Sequence, residues 1–165
     1  MCDCPCTHQQ LAWSALKIQK QVSSEAELAA LGAKFAPEIK RVQLVCLRGE
    51  LGSGKTTFAR GLIQALLPSS AVQSPTFNLV IPYVIDDWVI YHFDFYRIDN
   101  SEELELFGLR DYFHEHSVSL VEWPEKAEDF LPRPDIDVII QKVKHGRELQ
   151  IFSYTDNGAT MLRAL

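Results

Sequence analysis

The chain has 165 residues, 47 % of them hydrophobic and 23 % charged, with 16 basic against 22 acidic side chains and a net charge of −6. That length suits one domain and lets roughly 70 % of the unfolded surface be buried, so the chain needs no disulfide framework. The acidic balance repels phosphate polyanions, which argues against strong unaided binding to DNA or RNA and leaves any basic surface to a partner.

Residues 1–12 read as an irregular leader, and residues 13–165 as a single domain. Cys2, Cys4 and Cys6 crowd the start, with His8 just after. Thiolates and imidazole are metal ligands, but structural zinc sites keep two to four residues between cysteines, so a frayed tail is the expectation. No basic segment followed by an apolar stretch opens the chain, and no run of about 18 apolar residues occurs. The expectation is therefore a cytoplasmic protein with no membrane contact.

Partial alternation over residues 13–22 predicts an edge strand. Ser24-Glu25-Ala26-Glu27 has the form of a capping box, followed by Leu28, Leu31 and Phe35 at helical spacing, with Pro37 at the end. Residues 42–47 form a short continuous apolar run, as in a strand buried on both faces of a parallel sheet. Within it, Cys46 reads as a small buried hydrophobe. A glycine-rich turn over 49–56 leads into a helix over 57–67, stopped by Pro68, and a loop follows over 69–76. Residues 77–85 and 88–93 read as two strands turned at Asp86-Asp87. An acidic helix is predicted over 101–107, stopped by Gly108, then a strand over 118–121 and a helix over 124–130. A terminal hairpin over 137–143 and 148–154 turns at His145-Gly146. Strands and helices alternating without repeats or linkers give one α/β domain.

Gly49-Glu50-Leu51-Gly52-Ser53-Gly54-Lys55-Thr56 matches G-x-x-x-x-G-K-[ST]. The glycines let the backbone turn its N–H groups toward an anion, and the helix that follows adds the positive end of its dipole. Lys55 reaches the β- and γ-phosphates, and the Thr56 hydroxyl ligates Mg²⁺. The nucleotide-binding stretch is thus Glu50, Leu51, Gly52, Ser53, Gly54, Lys55, Thr56 and Thr57, with ATP and Mg²⁺ as the implied ligands. By composition alone the pattern recurs in roughly one chain in a hundred of this length, and its place between a buried strand and a helix makes chance a poorer account. Guanine readers carry N-K-x-D, which this chain lacks.

Such a site also needs an acid at a nearby strand end. Asp94 closes Val89-Ile90-Tyr91-His92-Phe93, and Glu122 closes Val118-Ser119-Leu120-Val121. Pattern alone does not divide the roles between them.

Four blocks now stand together: the phosphate loop through Thr57, Ser74-Pro75-Thr76-Phe77, His92-Phe93-Asp94-Phe95-Tyr96-Arg97, and Glu122-Trp123-Pro124-Glu125-Lys126. In order and spacing they resemble the TsaE (YjeE) ATPases of bacterial tRNA threonylcarbamoyladenosine biosynthesis, from about Val22 to Tyr154. The resemblance implies a three-layer P-loop NTPase-type domain with a mixed, partly antiparallel sheet. It implies that Thr56 and Glu122 position Mg²⁺, that Asp94 acts near the γ-phosphate and attacking water together with Lys55, and that Thr76 is a switch-type threonine. Trp123 has two readings, a core aromatic or a transmitter of nucleotide state. His92 reads first as a core histidine, and Arg97 as a surface ion pair or a contact to phosphate or partner. Ser23 is a candidate for the adenine side. The resemblance also implies binding to a complex of TsaB and TsaD, with tRNA reached only through that complex. The leader has no counterpart in the family pattern.

Two other functions compete. A P-loop small-molecule kinase needs an arginine-bearing lid, and the acidic segment at 101–107 has the wrong sign for one. A nucleotide-gated module without turnover has no use for Asp94.

Overall fold

The computed structural model describes residues 16–99, 103–104 and 107–165. The leader and the start of the first predicted strand therefore lie outside the described residues. The strands are β1 (Lys17–Val22), β2 (Leu44–Arg48), β3 (Val80–Ile85), β4 (Trp88–Asp94), β5 (Ser117–Glu122), β6 (Ile136–Val143) and β7 (Gly146–Ser153). The α-helices whose bounds lie within the described residues are α1 (Glu25–Ala33), α2 (Lys55–Leu66) and α3 (Asp156–Arg163). The seven strands among the described residues form one sheet in the order β1-β7-β6-β2-β5-β4-β3. The middle four strands, β6, β2, β5 and β4, are mutually parallel, and β1–β7–β6 and β3–β4 pair antiparallel. This is the mixed, partly antiparallel sheet of a P-loop NTPase-type domain.

Sequence chemistry explains the placement. β2 is buried at four of its five positions because it has a parallel neighbour on each side and a layer on each face. Its alternate residues Val45 and Leu47 face a core with Phe58, Leu62 and Ile63 of α2, while Leu44 and Cys46 face a second core with Phe93, Phe95 and Leu109. The Cys46 thiol is pushed up to about 12, chiefly by burial and then by the nearby Asp137. β3 carries Pro82, which costs no ladder bond on an outermost strand. Ser24 caps α1, its Oγ accepting from Glu27 N at 3.2 Å, while Glu27 Oε2 accepts from Ser23 N at 2.7 Å.

Several expected boundaries moved. The helix after the phosphate loop starts at Lys55, two residues earlier than expected, because Gly54 takes the left-handed cap position. Residues 77–79 are a turn rather than strand, since Asn78 N and Leu79 N both donate to Pro75 O. The helix expected over 124–130 is only a 3₁₀ turn, Pro124–Lys126, and Ala127 leaves helical backbone at φ −134°. Of the acidic helix, Glu103 and Leu104 are described and helical, Leu104 is fully buried, and the rest lies largely outside the described residues. α3 has no counterpart among the elements expected from sequence. Thr155 caps it, accepting from Gly158 N, and Met161 and Leu162 bury against the sheet. No described helix is long and apolar enough to cross a membrane.

Candidate functional site

Three parallel strands end side by side, and ligands of open α/β sheets bind beyond such carboxyl ends. β2 runs into the phosphate loop, β5 ends at Glu122, and β4 ends at Asp94. Leu47 lies opposite Glu122, and Glu122 opposite Asp94. A cavity of about 300 Å³ opens over these ends.

The loop has little freedom. Gly54 holds φ 110°, and a Cβ there would lie 2.4 Å from Leu28 Cδ2 of α1, so a side chain is doubly excluded. Gly32 and Gly61 let α1 and α2 cross closely: a Cβ on Gly61 would meet Ala29 O at 1.9 Å. That crossing sets where α2 presents Lys55 and Thr56.

Leu51, Gly52, Gly54, Lys55, Thr56 and Thr57 line the cavity. Glu50 instead faces Lys142, its Oε1 3.4 Å from Nζ, and Ser53 is fully buried behind the loop. Lys142 Nζ also donates to Leu51 O at 2.7 Å, and Arg147 Nε to Ser53 O at 2.8 Å. Two cations of the terminal hairpin thus hold carbonyls of the loop. At its base, Arg48 Nε donates to both oxygens of Asp137, at 2.8 and 3.1 Å, and Nη1 reaches Glu128 at 3.3 Å and Glu125 at 3.6 Å.

Lys55 is 4 % exposed. Its Nζ donates to Gly49 O at 2.7 Å and Glu50 O at 3.0 Å, and lies 4.0 Å from the centroid of the Trp123 ring. Burial holds its ammonium below the ordinary lysine value, against the opposing pull of Glu122 and Asp94.

The hydroxyls and acids sort into two sets. Thr56 Oγ1 donates to Glu122 Oε2 at 3.1 Å, and His92 Nε2 contacts Glu122 Oε1 at 2.9 Å. Ser74 Oγ and Thr76 Oγ1 both donate to Asp94 Oδ2, at 2.7 and 2.5 Å, and Tyr96 N donates to Asp94 Oδ1 at 3.0 Å. The acid beside the loop threonine is Glu122, and the acid tied to the Ser74–Thr76 segment is Asp94. Of the sequence-predicted polar residues, Lys55, Thr56, Thr57, Thr76, Asp94 and Glu122 converge on this cavity, whereas Glu50 and Ser53 do not line it.

Trp123 is neither plain core nor free surface: at φ 59° it turns its ring to Lys55 and to Tyr96, 5.0 Å away. His92 is wholly buried, as a core residue would be, yet it touches Glu122. Arg97 packs its guanidinium 4.3 Å from the centroid of the Phe77 ring and makes no ion pair among the described residues. Ser23 lines a second cavity, of about 150 Å³, with Gly54 and Arg147. Sequence reasoning gave no separate role to Ser74, Lys142 or Arg147. Ser74 was findable, two residues before Thr76 in the same block. The other two are some ninety residues from the loop, and only strand order brings them to it.

The family model for threonylcarbamoyl adenosine biosynthesis protein TsaE matches residues 22–149. The tRNA threonylcarbamoyladenosine biosynthesis protein TsaE of Haemophilus influenzae is 38 % identical over 152 residues, 89 % of this chain and 96 % of that one. Its Bacillus subtilis namesake is 34 % identical over 155 residues, 93 % of this chain and 92 % of that one. The crystal structure of Bacillus subtilis YdiB superposes with a TM-score of 0.75 at 25 % identity, covering 92 % of this chain and 95 % of that one.

Proposed function

Because the chain belongs to the TsaE family, we propose that it is a Mg²⁺-dependent ATPase serving tRNA threonylcarbamoyladenosine biosynthesis, acting on a complex of TsaB and TsaD. The observation that carries this reading is the pairing of Thr56 with Glu122 and of Thr76 with Asp94 at adjoining strand ends over a phosphate loop.

The donor set suits the cation. A hydroxyl and a carboxylate 3.1 Å apart are hard oxygen ligands, and Mg²⁺ takes few protein ligands and completes its shell with phosphate and water. Thr56 and Glu122 would hold it; when bound it neutralises charge developing on the β- and γ-phosphates. Lys55 leaves the carbonyls of Gly49 and Glu50 for the phosphates, exchanging neutral acceptors for anionic ones. Asp94 orients the attacking water and accepts its proton. Thr76 has to give up its bond to Asp94 to reach the γ-phosphate, so the Ser74–Thr76 segment senses which nucleotide is present.

Lys55 is the only cation among the described residues that line the cavity. Lys142 and Arg147 are engaged with loop carbonyls, and Arg97 lies on Phe77. A P-loop enzyme without a second stabilising cation turns over slowly until a partner supplies or orders one. The isolated chain is therefore slow and is stimulated by TsaB–TsaD; tRNA acts only through the complex, and neither DNA nor membrane is a partner. The test titrates the TsaB–TsaD complex while following phosphate release, then compares its affinity in ATP and ADP. Stimulation with a nucleotide-dependent affinity is expected. Full-speed hydrolysis by the chain alone, with equal partner affinity in both nucleotides, would overturn the proposal.

A further inference from the structure

His92 is the fully buried polar side chain whose contact the proposed chemistry has not used. It lies on β4 two residues before Asp94, so both project from the same face of the sheet. Its register partner on β5 is Leu120, two residues before Glu122, which puts the ring directly behind the Glu122 carboxylate. His92 is 0 % exposed and Glu122 2 %. The contact is 2.9 Å, from Nε2 to Oε1. A carboxylate oxygen accepts, so Nε2 carries a proton and donates. The other ring nitrogen, Nδ1, is buried and has no hydrogen-bond partner among the described residues.

A polar ring in a dry interior with one nitrogen unpaired costs stability relative to an apolar side chain of the same size. An apolar side chain at this position would not carry that cost. Packing alone therefore does not account for a histidine here. What only the histidine supplies is one N–H aimed at one oxygen of Glu122.

We propose that His92 is a positioning residue: it holds Glu122 Oε1 from behind and leaves Oε2, the oxygen that Thr56 touches, as the one turned to the cation. This rests on the metal site proposed above. A carboxylate tethered at one oxygen cannot rotate away or turn both oxygens to the cation, and its orientation is prepaid before Mg²⁺ arrives. Partners that orient a metal ligand typically contribute 10–100-fold to metal affinity.

The test measures Mn²⁺ binding to the full-length chain with ADP present, by electron paramagnetic resonance of the free ion, so no turnover is needed. ADP affinity in EDTA and thermal melting are measured alongside. Gln carries an N–H near the position of the histidine Nε2; Asn is one methylene shorter; Leu has none. His92→Leu and His92→Asn are expected to weaken Mn²⁺ about tenfold or more, with ADP affinity in EDTA within about threefold of wild type, and His92→Gln to restore Mn²⁺ affinity to within about threefold. Wild-type Mn²⁺ affinity in His92→Leu would overturn the proposal, as would equal weakening in His92→Gln and His92→Asn. If His92→Leu does not fold, the Gln and Asn pair decides by the same criterion. If the wild-type chain binds no Mn²⁺, or Glu122→Gln binds it as tightly as wild type, the metal site itself falls and this proposal with it; that failure shows without any change at His92.

Discussion

On the proposed function, replacing Asp94 with Asn should separate hydrolysis from binding, because each carboxylate oxygen has its own partners. Oδ1 accepts from Tyr96 N, and an asparagine carbonyl can keep that bond. Oδ2 accepts from the Ser74 and Thr76 hydroxyls, and both can rotate to accept from an amide NH₂ instead. All three contacts can survive, at neutral rather than charge-assisted strength. That loses about 1 kcal/mol per bond, part of it offset because a charge no longer has to be buried at 4 % exposure. A net stability loss of about 1 kcal/mol is expected, a fall in Tm of about 2–4 °C for a chain of this size. Asp94 touches neither Thr56 nor Lys55, so ATP affinity should stay within about threefold. On the role proposed for Asp94, hydrolysis would lose its proton acceptor and should fall at least about 10²-fold, or about 2.7 kcal/mol in the barrier. Phosphate release with saturating ATP and the TsaB–TsaD complex gives the first number, and calorimetry the second. Hydrolysis within threefold of wild type would refute the role given to Asp94. Loss of Mg²⁺ binding, with Glu122→Gln retaining it, would exchange the two acids.

Glu122→Gln should lower apparent Mg²⁺ affinity about tenfold or more, since an amide is a poorer ligand, while metal-free ADP binding is preserved; Mn²⁺ titration checks both. Gly61→Ala gains about 1 kcal/mol of helix propensity, but its Cβ collides with Ala29 O and pushes α1 from α2. A net loss of about 2 kcal/mol is expected, seen as a Tm lower by about 4–8 °C together with weaker ATP binding, because α2 carries the loop; an unchanged Tm would contradict the close crossing. Lys55 has its pKa lowered in the free protein, chiefly by burial, and phosphates would raise it on binding. On the proposed function the ammonium is the binding form, so ATP binding should take up protons at alkaline pH, and affinity should fall as pH rises, beginning below the ordinary lysine value of 10.5. Calorimetry across the alkaline range should show that fall, and Lys55→Arg, which does not deprotonate there, should lack it.

What the sequence disclosed depended on how far each signal reached. The phosphate loop, the α1 cap and the β6–β7 turn are local chemistry, and the structure carries all three. Asp94 and Glu122 could be singled out because each ends an apolar strand. That they are register partners, one facing Thr56 and the other Thr76, needed the β2–β5–β4 order. The helix expected over 124–130 failed because Trp123 takes left-handed backbone and the chain leaves helical geometry at Ala127. α3 was missed although Thr155-Asp156 has cap chemistry, because Asn157 and Gly158 weaken helix propensity and only burial of Met161 and Leu162 compensates. Lys142, Arg147 and the contact of His92 with Glu122 depend on long-range pairing that spacing does not encode.

Calorimetric titration of ATP into the wild-type chain and into Lys55→Ala, each with Mg²⁺ and with EDTA, tests the central claim most directly. Wild type should bind ATP and bind it more tightly with Mg²⁺. Lys55→Ala, checked by melting to be folded, should lose at least about tenfold in affinity and most of the Mg²⁺ effect, because the charge now held by Gly49 O, Glu50 O and the Trp123 ring is the one the proposed function assigns to phosphate. Equal ATP·Mg²⁺ affinity in the two proteins would contradict the account.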